Sequence, residues 1–190
     1  MKRPFIFEGL DGAGKTTLAH EVAMQTGVKI ISSLDPNKDA QIKNLIKTKD
    51  ISVGKIHKLY MEAISIHLED VIQPALFASE VFLIDKWVAG MLSAHVARGG
   101  NLVNWTLDNY NWDLIKVVDC LFLRASDEVR KRRLGTRRIV TKTDKASFHK
   151  GLETIYLQFA QRFYRRVILL EVSDFNKKQA LHEALRILSI

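Results

Sequence analysis

The chain reads GLDGAGKTT from Gly9 to Thr17, which matches the pattern of a glycine, four residues, then Gly-Lys-Ser/Thr. An apolar run ends just before this stretch, and an amphipathic helical pattern begins at Lys15. In that context the backbone amides of the loop and the first turn of the helix converge on one point and favour an anion there. Glycine allows the close approach of a phosphate and the positive φ angles that such a loop requires. The stretch therefore predicts a phosphate-binding loop whose ligand is a nucleotide.

Lys15 and Thr16 have separate predicted roles in this loop. The Lys15 ammonium brings a positive charge to the β- and γ-phosphates and is assigned as catalytic, whereas the Thr16 hydroxyl is the expected ligand of Mg²⁺. The predicted cofactors are therefore ATP and Mg²⁺. The residues assigned to ATP binding are Asp11, Gly12, Ala13, Gly14, Lys15, Thr16 and Thr17.

Short apolar runs alternate with longer helical patterns along the whole chain, and no repeat or Pro/Gly/Ser-rich linker divides it. Most of the runs do not have a polar residue at every second position, which is typical of parallel strands buried on both faces. The pattern predicts an α/β protein in three layers, α/β/α, with a five-stranded parallel sheet and one domain over residues 1–190. The expected strands lie near Pro4–Phe7, Val28–Ile31, Val81–Ile84, Cys120–Leu123 and Val167–Leu170.

Three helices have clear limits in the sequence. The first is expected over Lys15–Gln25, with Gly27 as its C-terminal stop. A long one is expected from about Ser52 to Ala78, with Pro74 kinking its end. A last helix is expected over Asn176–Leu188.

The net charge of +8 is concentrated in one segment. Residues 124–150 carry 10 basic and 3 acidic side chains, whereas residues 1–123 carry 13 and 14 and residues 151–190 carry 6 and 4. Such a cluster beside a phosphate loop suits a polyphosphate clamp, with a solvated helix face and a nucleic-acid site as alternatives. No apolar run reaches 18 residues, so the protein is expected to be cytoplasmic and without a membrane partner. The polyphosphate clamp is the favoured interpretation of the basic cluster, so a nucleic-acid partner is not expected.

The rest of the chain narrows the class of nucleotide-binding protein. It contains no Asn-Lys-x-Asp run, which weighs against a GTPase, and 190 residues leave little room for the extra parts of a motor. A small kinase with a short lid and a small-molecule nucleotide substrate is the remaining prediction.

Several stretches resemble thymidylate kinases, which phosphorylate dTMP with Mg·ATP. FIFEGLDGAGKTTL at Phe5–Leu18 is similar to the opening of that family, and HLEDVIQPAL at His67–Leu76 is similar to its long helix before the third strand. FLIDKW at Phe82–Trp87 lies where the family has Asp-Arg-Tyr or Asp-Arg-His, and Phe148 with Tyr156–Ala160 extends the likeness. The resemblance implies a P-loop kinase fold, phosphoryl transfer to a nucleoside monophosphate, and a homodimer as a candidate assembly.

Asp85 and two arginines complete the predicted catalytic set. Asp85 closes an apolar strand near the loop, where a carboxylate can hold the magnesium shell, although it could instead cap the next turn. The resemblance places a mobile lid at about residues 133–145. Arg137 and Arg138 follow Gly135 in that lid and are assigned as catalytic arginines, because a guanidinium can bridge two phosphoryl oxygens. Arg130 and Arg133 are expected on the preceding helix.

The acceptor side departs from the thymidylate kinase pattern. By the resemblance, Lys86 stands where the family has an arginine that binds the acceptor phosphate. Ala63-Ile64 stands where the family has an Asp-Arg pair whose arginine helps to recognise thymine. His95 stands where the family has a glutamine that contacts the base. Asp11 is similar to the family's carboxylate that meets the acceptor sugar, although it could equally form a turn. The residues assigned to acceptor binding are Asp11, Asp35, Tyr60, Lys86 and Trp87, the two aromatic rings as candidates for stacking on a base.

These departures leave the acceptor open between dTMP and another nucleotide, because buried hydrogen bonds to a base are what give such sites discrimination. Leu123–Ser126 also resembles deoxynucleoside kinases, so an unphosphorylated nucleoside is an alternative acceptor. A nucleotide-binding homologue without catalysis is a further alternative.

Overall fold

The computed structural model describes residues 3–97, 99–100, 112–135 and 151–188. Within them five strands and eight α-helices alternate along the chain. The strands are β1 (Phe5–Glu8), β2 (Lys29–Ser32), β3 (Phe82–Asp85), β4 (Asp119–Arg124) and β5 (Arg166–Glu171). The helices are α1 (Lys15–Thr26), α2 (Pro36–Thr48), α3 (Val53–His67), α4 (Gln73–Phe77), α5 (Val88–Ala97), α6 (Asp127–Gly135), α7 (Leu152–Phe163) and α8 (Lys177–Leu188).

All five strands are parallel and form one sheet in the order β2-β3-β1-β4-β5. The three central strands are buried almost throughout, as their continuous apolar runs predict, and the edge strands β2 and β5 are partly exposed. Parallel strands end at the same edge, so the residues after β1 and β3 lie side by side; Phe7 is level with Asp85.

The core is divided by the sheet into two layers. In β1, Phe5 and Phe7 face the layer that contains α1 and α8, whereas Ile6 between them faces the layer of α3, α5 and α7. This division confirms the predicted three-layer α/β/α fold. None of the helices in the described parts of the chain is long and apolar enough to cross a membrane.

The predicted helix limits hold at α1, at α8 and at both ends of the long helical segment, which runs from Val53 to Phe77, but the interior of that segment is not α-helical throughout. Gly27 ends α1 in the left-handed conformation, with φ of 71°. The long segment is α-helical only to His67, widens into a π-helix over Leu68–Ile72, and resumes as α4. Pro74 lies in the first turn of α4, directly after the π-helix, and its missing N–H and its ring do not fit an α-helical interior.

Candidate active site

The phosphate loop runs from the carboxyl end of β1 to the first turn of α1. Gly9, Gly12 and Gly14 have φ angles of 133°, 85° and 100°, which glycine adopts without strain. A Cβ on Gly9 would overlap the carbonyl oxygen of Leu123 in β4, so the chain can turn away from the sheet here only with a glycine. The N–H groups of the first turn of α1 have no acceptor within the helix and are available to an anion.

Lys15 lies at the start of α1 and is only 6% exposed. Its Nζ atom donates to the carbonyl oxygen of Leu10 at 3.1 Å and lies 3.7 Å from Oδ1 of Asp11, so both partners belong to the loop itself. Burial lowers the pKa of Lys15, and the nearby carboxylate of Asp11 opposes that shift. Thr16 follows with an exposed side chain on the first turn of the helix.

Asp85 and Lys86 lie at the end of β3, next to the loop. The Oδ1 atom of Asp85 is buried and accepts no hydrogen bond within the described residues, which leaves it available to a ligand. Lys86 is exposed and has a φ of 52°, unusual for a residue with a side chain, and its N–H donates to the carbonyl oxygen of Phe7 at 3.0 Å. Both side chains are near enough to Lys15 to influence its pKa, so the three charges share one site.

Helix α6 supports the loop from outside through two arginines. Arg130 donates from Nε to the carbonyl oxygen of Asp11 at 2.9 Å, and its Nη1 pairs with Asp127 at 2.8 Å. Arg133 donates from Nη1 to the carbonyl oxygen of Ala13 at 3.0 Å. The prediction that both arginines lie on the helix before the lid is confirmed. Their contacts with loop carbonyls were missed, because the basic run alone indicated only contacts with phosphate.

The catalytic assignment of Arg137 and Arg138 falls on residues outside the described ranges, as does nearly all of the predicted lid. Of that lid the structure describes residues 133–135, which are the last turn of α6. The two catalytic arginines therefore stay predictions.

The assigned acceptor residues do not all offer a surface to a ligand. Asp35 caps α2, accepting hydrogen bonds from the N–H groups of Asn37 and Lys38 at 2.9 Å each. Tyr60 is 8% exposed, and Trp87 is fully buried in the core. The ring of Trp87, directly before α5, lies among core side chains, so it has no exposed face in this structure, and its stacking on a base stays a prediction.

Two histidines that were not assigned to acceptor binding stack on each other between α3 and α5. The rings of His57 and His95 are 4.1 Å apart, centroid to centroid, and both residues are buried. Burial, and then the neighbouring His95, lower the pKa of His57 from its usual 6.5 to about 4. His95 is the residue that stands where the resemblance expects a base-contacting glutamine, and His57 lies on α3, the helix of Ala63 and Ile64.

Comparison with known proteins gives one consistent family. The thymidylate kinase family model matches residues 7–184. The thymidylate kinase of Limosilactobacillus reuteri strain DSM 20016 is 27% identical over 185 residues, covering 88% of this chain and 87% of the relative. Those of Pelobacter propionicus and Bacillus cytotoxicus are each 26% identical, the first covering 88% of this chain and 85% of the relative and the second 92% and 91%. The resemblance inferred from the motifs is confirmed.

Proposed function

We propose that this chain, which belongs to the thymidylate kinase family, transfers the γ-phosphoryl group of ATP to a nucleoside monophosphate. The observation that carries the proposal is the meeting of two chain segments at one edge of the sheet. The phosphate loop with Lys15 follows β1, and Asp85 with Lys86 ends β3 directly beside it. One segment suits the donor and the other the acceptor, so their adjacency would bring a transferable phosphoryl group next to its target.

The residues at this edge have the right chemistry for Mg·ATP. Mg²⁺ prefers oxygen ligands, and two candidate ligand oxygens lie at this edge. The Thr16 hydroxyl is exposed on the first turn of α1. The buried Oδ1 of Asp85 accepts no hydrogen bond within the described residues. When bound, the ion would neutralise charge on the β- and γ-phosphates. The loop amides and the Lys15 ammonium would hold the same phosphates from the other side.

The two lysines have different parts in this proposal. Lys15 would exchange its bonds to the loop for bonds to the β- and γ-phosphates, whose negative charge would oppose the lowering of its pKa by burial. Lys86 extends into solvent and would attract the phosphate of the acceptor as a point charge, without the two-pronged contact of an arginine. Arg137 and Arg138 would contact the phosphoryl group during its transfer and stabilise its negative charge.

The acceptor is proposed to be a nucleoside monophosphate with dTMP as the first candidate. Ala63 and Ile64, which stand where the resemblance expects a thymine reader, are both buried in the core and offer no hydrogen bond to a base. Weaker base discrimination than a hydrogen-bonded site gives is therefore part of the proposal. A cytoplasmic location, a role in nucleotide synthesis and a homodimer belong to the same proposal and rest on the family alone.

A screen for ADP release with Mg·ATP tests this function. The acceptors are the ribo- and deoxyribonucleoside monophosphates and the corresponding unphosphorylated nucleosides, with a Lys15→Met variant as the control for contaminating kinases. Turnover with at least one monophosphate, absent in the variant, supports the proposal. Turnover with nucleosides alone would favour a deoxynucleoside kinase, and Mg·ATP binding without any turnover would favour an inactive homologue.

A further inference from the structure

A fully buried carboxylate lies directly beneath the phosphate loop. Glu8 is the last residue of β1 and is 0% exposed. Its Oε2 accepts the hydroxyl of Tyr156 at 2.5 Å, and its Oε1 accepts the hydroxyl of Tyr164 at 2.6 Å and the N–H of Trp87 at 3.0 Å. A buried carboxylate is costly unless such donors satisfy it, and here all three donors come from other elements of the fold.

Both tyrosines extend this cluster to a backbone amide. The backbone N–H of Gly9, the first residue of the phosphate loop, lies near enough to the Tyr156 hydroxyl to lower its pKa, and Glu8, which Tyr156 contacts directly, precedes Gly9 in the chain. The Tyr164 oxygen accepts the N–H of Ala89 in α5 over a longer 3.5 Å. Burial, and then the carboxylate of Glu8, raise the pKa of both phenols far above the usual value, so each keeps its proton and acts as a donor. The polar cluster of Glu8, Tyr156 and Tyr164 thus joins the loop to the start of α5.

The packing around this cluster allows little displacement. A Cβ on Gly90 in α5 would overlap the hydroxyl of Tyr156 and would come within 3.4 Å of Oε2 of Glu8. The backbone of α5 is therefore in contact with the cluster, and a glycine at this position makes that approach sterically feasible. A small shift of Tyr156 would be transmitted both to Gly9 and to α5.

Lys86 lies between two hydrogen bonds that anchor its backbone to β1. Its own N–H donates to the carbonyl of Phe7, and the N–H of the next residue, Trp87, donates to Glu8. These bonds maintain the positive φ of 52°, a conformation that is costly for a residue with a side chain. The direction in which the ammonium leaves the backbone depends on that φ, and hence on Glu8.

We propose that Glu8, acting through Tyr156 and Tyr164, is a positioning residue that fixes the phosphate loop and Lys86 at a set separation. Tyr156 positions the phosphate loop, which binds the donor, at Gly9. Tyr164 positions the start of α5, on the acceptor side, through Ala89. Glu8 contacts both tyrosines and positions both parts. The assignment of Lys86 to the acceptor phosphate rests on the proposed function, whereas the link from Tyr156 to the loop does not.

Three substitutions separate these roles, each measured with the intact chain. Tyr156→Phe weakens Mg·ATP binding about tenfold by calorimetry, because Glu8, directly before Gly9, loses the hydroxyl that holds its Oε2. Tyr164→Phe raises the KM of the acceptor about tenfold and leaves the Kd of Mg·ATP unchanged. Glu8→Gln does both, since an amide can neither accept from both phenols nor carry the charge. The same shift in all constants for both tyrosine variants would overturn the division of roles.

Asp119→Asn is the matched control for a purely structural effect. Asp119 is also a buried carboxylate, 1% exposed, but it begins β4 at the opposite end of the sheet and accepts from Arg165 and Arg166. This variant lowers Tm and leaves both constants unchanged for the folded protein. If the three cluster variants lower Tm in the same way without altering either constant, the proposal is wrong. If Glu8→Gln does not fold, the two tyrosine variants decide.

Failure of the proposed function gives a different pattern. A wild-type protein that phosphorylates no acceptor refutes the function, while Mg·ATP calorimetry still tests the positioning role. In that case a weaker Kd for Tyr156→Phe with an unchanged Kd for Tyr164→Phe supports the cluster, and equal Kd values in all variants contradict it.

Discussion

Arg130 donates a hydrogen bond from Nε to the carbonyl oxygen of Asp11 at 2.9 Å, which joins helix α6 to the phosphate loop. The guanidinium is only 2% exposed, so it supports the loop from behind rather than contacting a phosphate in front of it. The backbones are equally close, because a Cβ on Gly12 would lie 2.9 Å from the carbonyl oxygen of Arg130. Loop and helix are therefore in direct contact through both a side chain and the backbone.

The substitution Arg130→Lys tests this support. Lysine keeps the charge but lacks Nε, so the Asp11 carbonyl loses its donor, and the free energy of unfolding is expected to fall by about 1–3 kcal/mol. Urea denaturation measures that loss, and calorimetry should show weaker Mg·ATP binding. Arg124→Lys is the control, since Arg124 pairs with Glu153 at 2.8 Å but is 44% exposed in its side chain. Equal stability of the two variants would contradict the bracing role.

The substitution Gly90→Ala tests the close approach of α5 to the Glu8 cluster. The new Cβ would overlap the Tyr156 hydroxyl, so we expect a loss of about 1–3 kcal/mol in stability and a lower kcat. Gly54→Ala in α3 is the control, because a Cβ there meets no atom of the described residues within 4 Å. Alanine favours helix over glycine, so the control should be neutral or more stable by up to about 1 kcal/mol. Identical thermal unfolding of the two variants would rule out the close packing.

The buried His57 predicts acid sensitivity of the fold. Its pKa of about 4 in the folded protein lies below its usual 6.5, so as pH falls the unfolded chain binds the proton first. The stability that this neutral ring provides is complete above pH 6.5 and is lost as pH falls from there towards 4, by up to about 3 kcal/mol.

Urea denaturation at pH 7.5 and pH 4.5 measures this acid effect. His57→Phe keeps a ring against His95 but cannot bind a proton, so its stability should fall less with acid than that of the wild type. His20→Phe, at an exposed position on α1, should leave the pH dependence unchanged. If the free energy of unfolding falls equally between pH 7.5 and pH 4.5 in the wild type and the His57 variant, His57 is excluded as the cause.

Lys15→Met should separate function from stability. The side chain is buried, and its nearest carboxylate, that of Asp11, is 3.7 Å away, so removal of the charge is expected to raise Tm. The same change removes a contact with the phosphates and should reduce kcat by about 10³-fold or more. Lys58→Met, which alters an exposed lysine on α3, should leave kcat unchanged. A Lys15 variant that keeps wild-type turnover would refute the role given to the loop.

Local sequence patterns were sufficient for the fold. The five apolar runs mark the strands within one or two residues, and Gly27 marks the end of α1 because its left-handed conformation is a local property. Pro74 was recognised as a helix breaker, but the π-helix before it was not, since the way in which a helix accommodates a proline depends on its packing.

The candidate site was predictable from the sequence only where the functional residues are contiguous in one segment. The phosphate loop is one continuous motif, but the partners of Glu8 are Trp87, Tyr156 and Tyr164, which lie 79, 148 and 156 residues after it, and no periodicity relates them. The burial of Trp87 was not predictable for the same reason, because its position after Asp85 and Lys86 does not reveal that its ring turns into the core. Contacts between distant segments come from tertiary packing, which a single sequence does not display.

Transfer of labelled phosphate from [γ-³²P]ATP is the most direct test of the central claim, that the edge formed by the loop and Lys86 phosphorylates a nucleoside monophosphate. The protein is incubated with Mg²⁺, the labelled ATP and each monophosphate in turn, and the products are separated by chromatography. The account predicts label in the β-phosphate of a nucleoside diphosphate, lost in Lys15→Met. Label found only in inorganic phosphate, or only in the product of an unphosphorylated nucleoside, would contradict it.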